Sequence, residues 1–294
     1  KGCDMSRDGA RHLENIGPSE GRPTRRRFSI ARASRRSAAL AAVLTLFALV
    51  TVAQYADIFV GSPFAAGHPV LVWGGMALLV ALPVALGMSV ARIGLSRLAE
   101  RFAARDDSEH EQILIRVVLV FALMVYFYLA VDPTEGVTGA VWAYWILSIG
   151  LAISWTFLLH ITLVPGRSVA RRVLAMNADL WINSLVIHVG GGLAAVMYPI
   201  YLWVTFGNGF RYGARYLIGS AAISLIGFGY VLWSTPYWQQ NMGIAYGLLV
   251  ALVCLPAYVL SLIRKLTEAK AAAEAASQTK SRFLATISHE LRTP

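Results

Sequence analysis

Long apolar runs separated by short polar stretches dominate this chain and predict a membrane protein made of helices. Eight such runs lie between residues 38 and 263. Most have close to the roughly 20 residues that an α-helix needs to cross about 30 Å of hydrocarbon. They cover approximately residues 38–55, 70–91, 113–131, 140–164, 173–189, 193–206, 217–233 and 242–263. The predicted fold is therefore all-α, a polytopic transmembrane helical bundle of about eight spans.

The fifth and sixth runs are short, and only Gly190, Gly191 and Gly192 separate them. They form either two spans or one tilted span of about 28 residues. With two spans, every Lys and Arg except Arg116 lies in segments on one side of the membrane. With one span, the basic segments upstream would be exported, against the positive-inside bias. The charge pattern therefore favours eight spans with both termini in the cytoplasm.

Composition supports an integral membrane protein, because 57% of the residues are hydrophobic and only 14% are charged. The net charge of +10 lies in the predicted inner segments, so it does not point to a nucleic-acid partner. Residues 1–37 are predicted to be a basic, largely disordered cytoplasmic tail that faces anionic lipid. The alternative for residues 25–56 is a signal peptide. Cys3 and Cys254 lie in a tail and a span, a placement that indicates neither a disulfide nor a metal site.

The predicted outer loops are too short to fold a sensor domain, which normally needs upwards of about 50 residues. The stimulus is therefore read in the bilayer, at its surfaces or through a partner, which favours a small lipophilic signal. Polar residues inside the spans are the default candidates for a site. The alternative is that they only snorkel or form interhelical hydrogen bonds. These residues are Arg116, His160, Asp179, Asn183 and His188.

The last fifteen residues, 280–294, place His289 beside Glu290 and four residues before Thr293. A neutral imidazole can attack the γ-phosphate of ATP while a neighbouring carboxylate holds the proton on its other nitrogen. A hydroxyl four residues further on lies on the same helical face and can orient water. The alternative is a solvated helix face. The zinc-protease pattern His-Glu-x-x-His is not met, because Thr293 occupies the position of the second histidine.

This segment, Lys-Ser-Arg-Phe-Leu-Ala-Thr-Ile-Ser-His-Glu-Leu-Arg-Thr-Pro, resembles the phosphoacceptor box of two-component sensor histidine kinases. The resemblance implies that His289 is the phosphoacceptor, Glu290 the acid/base and Thr293 a helper in dephosphorylation. It also implies a homodimer in the bacterial inner membrane, ATP with Mg bound by a domain absent from this chain, and a response regulator or fused receiver domain as partner. The phosphoacceptor domain then begins at residue 280 and is truncated at residue 294.

A second resemblance covers roughly residues 106–294. Asp-Ser-Glu-His at residues 107–110, Tyr-Leu-Trp at 201–203 and the loop Gly-Asn-Gly-Phe-Arg-Tyr-Gly at 207–213 carry it. They resemble the input region of RpfC-type sensor kinases, which respond to diffusible signal factor, a cis-2-unsaturated fatty acid of bacterial quorum sensing. The resemblance implies that the segment ahead of the third span, Asp107, Ser108, Glu109 and His110, binds the signal. Because this segment is acidic, His110 or nearby Arg116 would supply the positive charge that holds the carboxylate.

Three alternatives to a fatty-acid receptor stay open. Asp107 or Ser108 can simply cap the helix that becomes the third span, with Glu109 favouring its dipole. The protein can instead be a kinase that senses membrane state or another small molecule. It can also be a transporter-like membrane protein without kinase output.

Residues 264–279 connect the predicted sensor region, 38–263, to the phosphoacceptor segment. They contain neither Gly nor Pro, so the eighth span is predicted to continue as a signalling helix. An apolar seam on this helix is weak and rich in alanine, which suits either a dimeric coiled coil or a rigid spacer. The seam consists of Leu262, Leu266, Ala269, Ala273 and Ala276.

Overall fold

A computed structural model describes residues 22–103, 105, 108–131 and 138–290. The side chains of residues 22–38 and of most residues after 284 lie outside this description. All elements in the described ranges are helical, which confirms the all-α prediction. The α-helices are α1 Arg22–Phe59, α2 Pro63–Gly67, α3 Pro69–Ile93, α4 Leu95–Ala103, α5 Glu109–Ala130, α6 Gly139–Leu163, α7 Val169–Gly190, α8 Pro199–Tyr212, α9 Ala214–Ser234, α10 Pro236–Gln240 and α11 Met242–Glu290.

Seven of the described helices are long and apolar enough to cross a membrane: α3, α5, α6, α7, α9, α1 from Ala39 and α11 up to Leu284. The remaining predicted span, the sixth, is a composite. A 3-10 helix of five residues, Leu193–Met197, leads directly into the 14 residues of α8. Their rises of about 10 and 21 Å add to nearly the thickness of the hydrocarbon core. Neither the 3-10 helix nor α8 is long enough to cross the membrane by itself, and only the two together have the length of a span.

The fifth and sixth predicted runs are separate helices that lie side by side. The hydroxyls of Ser184 and Tyr201 are 2.7 Å apart, although 17 residues separate them along the chain. In one continuous helix they would lie about 25 Å apart. The chain turns at Gly191, whose φ of +54° is in the left-handed region that favours glycine. The alternative of one long span is therefore wrong.

Two other segments differ from the sequence-based expectation. Residues 22–37, expected to belong to a disordered tail, are helical and extend α1. No Gly occurs between residues 22 and 60, and Pro23 lies in the first turn, where proline is tolerated. The predicted loop at residues 207–213 is the end of α8. Only Gly213, with φ +92°, breaks the helix there.

α6 lies at the centre of the bundle and packs against α3, α5 and α7. It is the most extensively buried of the seven spans. The aromatic residues near the predicted outer ends of the spans do not share one environment. Trp233 is exposed, whereas Tyr144 and Trp238 are buried in the core.

α11 is one helix of 49 residues, about 74 Å long, that starts in the membrane region and continues past it. Pro256 lies within the membrane part, where transmembrane helices tolerate proline. From Arg264 to Leu284 its side chains are exposed. The last span therefore continues as a helix beyond residue 263, and a signalling role for this part stays a prediction.

Candidate functional site

The start of α5 brings the predicted ligand-binding segment to the end of the bundle where α6 meets α7. Ser108 occupies the N-cap position of α5, but its side chain makes no capping hydrogen bond. Ser108 thus starts the helix, as the capping alternative predicts, but its hydroxyl does not accept a hydrogen bond from the first backbone N–H groups of α5. Asp107 lies outside the described residues. The ring of His110 stacks on Phe102, with centroids 5.0 Å apart.

Glu109 is buried and contacts three guanidinium groups. Arg105 Nη2 lies 3.1 Å from Glu109 Oε2. Arg171 Nη2 contacts the same oxygen, and Arg172 Nε contacts Oε1. We call these four residues the Glu109 cluster. Its three guanidiniums and one carboxylate leave two positive charges in excess within the cluster, while Glu111 in the same turn of α5 is acidic.

Local structure explains how two of these arginines reach Glu109. The hydroxyl of Ser168 accepts a hydrogen bond from the backbone N–H of Arg171 at 3.2 Å and caps the start of α7. This cap places Arg171 and Arg172 in the first turn of the helix, facing α5. Arg105 also donates to the carbonyl of Pro165, in the connection that follows α6. The cluster therefore ties the chain before α5 to the connection between α6 and α7.

The predicted loop at residues 207–213 contributes side chains to the same region. The hydroxyl of Tyr212 donates to Gln112 Oε1 at 2.8 Å, and the guanidinium of Arg172 lies 4.5 Å from the centre of the Tyr212 ring. Gly209 allows α8 to approach α9, because a Cβ there would lie 2.6 Å from Leu217 Cδ1. The end of α8 therefore joins α5 and α7 at this end of the bundle.

Arg116 lies two turns further into the bundle and pairs with Asp179 of α7. Its Nη2 donates to Asp179 Oδ2 at 2.7 Å, and its Nε lies 2.7 Å from Oδ1. Both side chains are largely buried, so the pair is neutral where an isolated charge would be costly. The sequence-based alternative of an interhelical polar contact is thus right for these two residues. Arg116 Nη1 nevertheless has no hydrogen-bond partner.

A narrow cavity of about 70 Å³ adjoins this ion pair, and we call it the Arg116 cavity. It lies between α5, α6, α7 and α8, and its walls are mainly aliphatic. The main polar groups that line it are Gln112, Arg116, Asp179, Asn183 and Arg211. Asn183 is buried, and neither its Nδ2 nor its Oδ1 has a hydrogen-bond partner. An apolar cavity with a few convergent polar groups is the usual form of a small-molecule site.

The other polar residues singled out within the spans lie elsewhere. His160 Nδ1 is 3.1 Å from Arg171 Nη1, beside the Glu109 cluster. His188 Nδ1 lies 2.9 Å from the Ser234 hydroxyl and 3.0 Å from that of Thr235, in the last turn of α7. The structure therefore brings Glu109, Arg116, Asp179 and Asn183 to one region and leaves His188 at the other end of α7.

Sequence reasoning missed the arginines that surround Glu109, because it treated them only as markers of topology. The one available signal was the acidic residue at the start of an apolar helix, since a buried carboxylate needs a cationic partner. The sequence did not indicate which of the many arginines supply it.

The predicted phosphoacceptor residues lie at the far end of α11. His289 and Glu290 are the last two residues of this helix, and Thr293 lies outside the described residues. In the part of the chain that the structure describes, no three His, Cys, Asp or Glu side chains form a group able to hold a metal ion. The roles assigned to His289, Glu290 and Thr293 stay predictions.

Comparison with known proteins identifies a relative in two strains of Xanthomonas campestris pv. campestris, the sensory/regulatory protein RpfC. The identity is 37% over 198 residues. This region is 67% of the present chain and 27% of the relative, so the chain spans about a quarter of the length of the curated relatives it matches. No family model matches the chain, and no solved structure matches it. The chain is thus a multi-pass membrane protein, similar over two thirds of its length to a sensory/regulatory protein.

Proposed function

We propose that this chain is the membrane input region of a sensor histidine kinase in a two-component system. One observation carries the proposal: α11 starts in the membrane bundle and ends at His289 and Glu290, within a segment that resembles a phosphoacceptor box. A helix without a break transmits a displacement along its axis or a rotation about it. The similarity to a sensory/regulatory protein supports the same assignment. The domain that binds ATP with Mg lies outside residues 1–294.

The proposed kinase is a homodimer that uses α11 as its dimerisation helix. Leu266 and Phe283 are 65% and 64% exposed in the single chain, in the part of α11 that follows the membrane region. Apolar residues spaced along an exposed helix favour pairing with a second helix. Phosphate would then pass from His289 to a response regulator or to a fused receiver domain.

Labelling with radioactive ATP tests the kinase assignment on the full-length protein that contains this chain. We expect an acid-labile, alkali-stable phosphoryl group that is absent from His289→Gln, because this variant lacks the imidazole nitrogen that would carry the phosphoramidate. His68→Gln is the matched control and should label normally, since His68 lies near the opposite end of the bundle beside Phe64 and Trp142. Equal labelling of His289→Gln would refute the assignment. No labelling of the unaltered protein would favour the transporter-like alternative.

The proposed signal is a medium-chain unsaturated fatty acid of the diffusible-signal-factor type. The Glu109 cluster carries excess positive charge at the predicted cytoplasmic surface, and Arg116 has an unpartnered N–H group where the apolar cavity begins. A carboxylate at residues 107–116 would be attracted to these guanidiniums, with the acyl chain in the Arg116 cavity. Asn183 supplies further hydrogen-bonding groups deeper in the same cavity.

Entry of the acyl chain supplies a means of signalling. A medium-length chain is larger than about 70 Å³, so binding would move α5 or α8 outward. α8 packs against α9 and α11, and the Tyr198 hydroxyl just before α8 donates to the carbonyl of Leu248 in α11. A ligand that binds better to the wider state would shift the bundle toward that state. The displacement would then reach α11.

Binding to the purified protein in nanodiscs tests the signal. Each methylene buried is worth about 0.8 kcal/mol, so affinity should fall roughly fourfold for each carbon removed. Arg116→Met should weaken binding of the free acid strongly and binding of its methyl ester only slightly, because the ester carries no charge. Absence of both chain-length dependence and acid preference would refute the fatty-acid proposal. This result would not affect the kinase proposal, which the labelling experiment tests separately.

A further inference from the structure

The Arg116 cavity is elongated, with one polar end and one aliphatic end. Along α5 it extends from Gln112 to Leu123, a rise of about 16 Å. Arg211 lines it from the last turn of α8. Its neighbour Tyr212 donates to Gln112, so Arg211 belongs to the polar end. Ile200, three turns earlier on α8, lines the opposite end.

Three charged side chains line the cavity among the described residues, and they leave one positive charge uncompensated. Arg116 makes two contacts of 2.7 Å with Asp179, so this pair is neutral. The third is Arg211, which makes no hydrogen bond or ion pair in the described part of the chain. Its charge and its N–H groups are therefore available to a ligand.

Gly207 gives the Arg211 side chain the space in which it lies. The two residues are four apart on α8, so they share one helix face, and both line the cavity. A Cβ at position 207 would lie 3.1 Å from Arg211 Nη1. The guanidinium therefore lies back over Gly207, toward the start of α8, as helical side chains usually do. An arginine that only snorkels would extend away from the helix to the bilayer surface instead.

The shape and charge of the cavity restrict what it holds. Its walls are mainly aliphatic and its volume is only about 70 Å³, which favours one acyl chain over the two chains of a bilayer lipid. One uncompensated cation favours a monoanion, because a second negative charge would have no partner. A carboxylate can accept two parallel N–H bonds from a guanidinium. The chemistry therefore points to a single-chain carboxylate.

We propose that Arg211 determines the specificity of this site and that its guanidinium binds the carboxylate of a single-chain fatty acid, while Arg116 stays paired with Asp179. This inference rests on the proposed fatty-acid signal. It assigns recognition of the head group to α8 and not to the segment ahead of the third span. Because α8 packs against α11, a ligand on Arg211 acts on a direct neighbour of the proposed signalling helix.

The experiment measures binding of radiolabelled cis-2-dodecenoic acid and of its methyl ester to the full-length protein in phosphatidylcholine nanodiscs. Arg211→Gln should weaken acid binding about tenfold or more, the usual effect of losing a hydrogen bond to a charged group. Ester binding should stay unchanged, which also shows that the variant is folded. Arg211→Lys should restore part of the acid affinity, because it keeps the charge but not the paired N–H groups. Arg215→Gln is the matched control and should bind both normally, since Arg215 is exposed and does not line the cavity.

A double variant separates Arg211 from Arg116. In Arg116→Met alone, Asp179 loses its partner and its charge would neutralise Arg211, so both assignments predict weaker acid binding. Arg116→Met with Asp179→Leu removes both charges and leaves Arg211 as the lining cation. The double variant should therefore keep its preference for the acid over the ester. Adding Arg211→Gln should abolish this preference.

Four results would overturn the inference. Acid preference that survives Arg211→Gln but is lost in the double variant would assign the carboxylate to Arg116 and leave the fatty-acid proposal intact. Equal loss of acid and ester binding in Arg211→Gln would show a packing role only. If the effect of Arg211→Gln disappears in phosphatidylglycerol nanodiscs, Arg211 binds a lipid head group. No saturable acid binding by the unaltered protein would refute this inference and the fatty-acid proposal together.

Discussion

Neutralising Asp179 should destabilise the bundle strongly. The carboxylate makes two contacts of 2.7 Å with the guanidinium of Arg116. The two side chains are only 17% and 8% exposed and lie within membrane-spanning helices. Asp179→Asn removes the countercharge and leaves a buried cation without this partner. Breaking a buried ion pair in this way costs about 3–5 kcal/mol, so we expect a loss of that size in the free energy of unfolding.

Replacing both partners separates the penalty of an isolated charge from the value of the pair. In Arg116→Met with Asp179→Leu, no charge remains to be desolvated, and apolar replacement of a buried pair is often neutral or stabilising. The double variant should therefore be more stable than Asp179→Asn. Glu274→Gln is the matched control, because Lys270 and Glu274 are 3.7 Å apart and 76% and 63% exposed. Its effect should be below about 1 kcal/mol.

The assay is reversible unfolding of the chain by sodium dodecyl sulfate in mixed micelles, followed by circular dichroism. The reasoning requires that Asp179→Asn lower the free energy of unfolding far more than Glu274→Gln and that the double variant recover most of the loss. Equal effects of Asp179→Asn and Glu274→Gln would refute it, since the intramembrane pair would then behave like an exposed one. A double variant less stable than Asp179→Asn would show that the attraction between Arg116 and Asp179 exceeds the free-energy cost of burying the two charges.

Two further predictions concern topology and helix packing. Single cysteines should react with an impermeant thiol reagent outside intact cells in the predicted outer loops and not in the inner ones, and external reaction at Ser168 would contradict the predicted orientation. The outer positions are Ser62, Thr138 and Gln239, and the inner ones are Ser108 and Ser168. Gly209→Ala should lower the free energy of unfolding by about 1–3 kcal/mol, because its Cβ would lie 2.6 Å from Leu217 Cδ1. Gly229→Ala, with open space around its Cβ, should change it little, and an equal loss in both would refute close packing at Gly209.

The spans follow from sequence alone because helix formation in a membrane is a local property. Each backbone N–H bonds to a carbonyl four residues earlier, and apolar length decides which stretches can cross the hydrocarbon. The predicted third span at residues 113–131 corresponds to Glu109–Ala130, and the fourth at 140–164 to Gly139–Leu163. The charge bias and the three consecutive glycines also predict that α7 and the helix after it are separate.

Tertiary structure alone decided which polar groups meet. Arg171 reaches Glu109 across 62 residues, Asp179 reaches Arg116 across 63, and Tyr212 reaches Gln112 across 100. Pairings at such separations depend on how each helix is rotated and where it crosses its neighbours, which side-chain packing between helices determines. The same reason places Tyr144 and Trp238 in the core, because no local pattern records which face of an almost wholly apolar helix meets protein and which meets lipid.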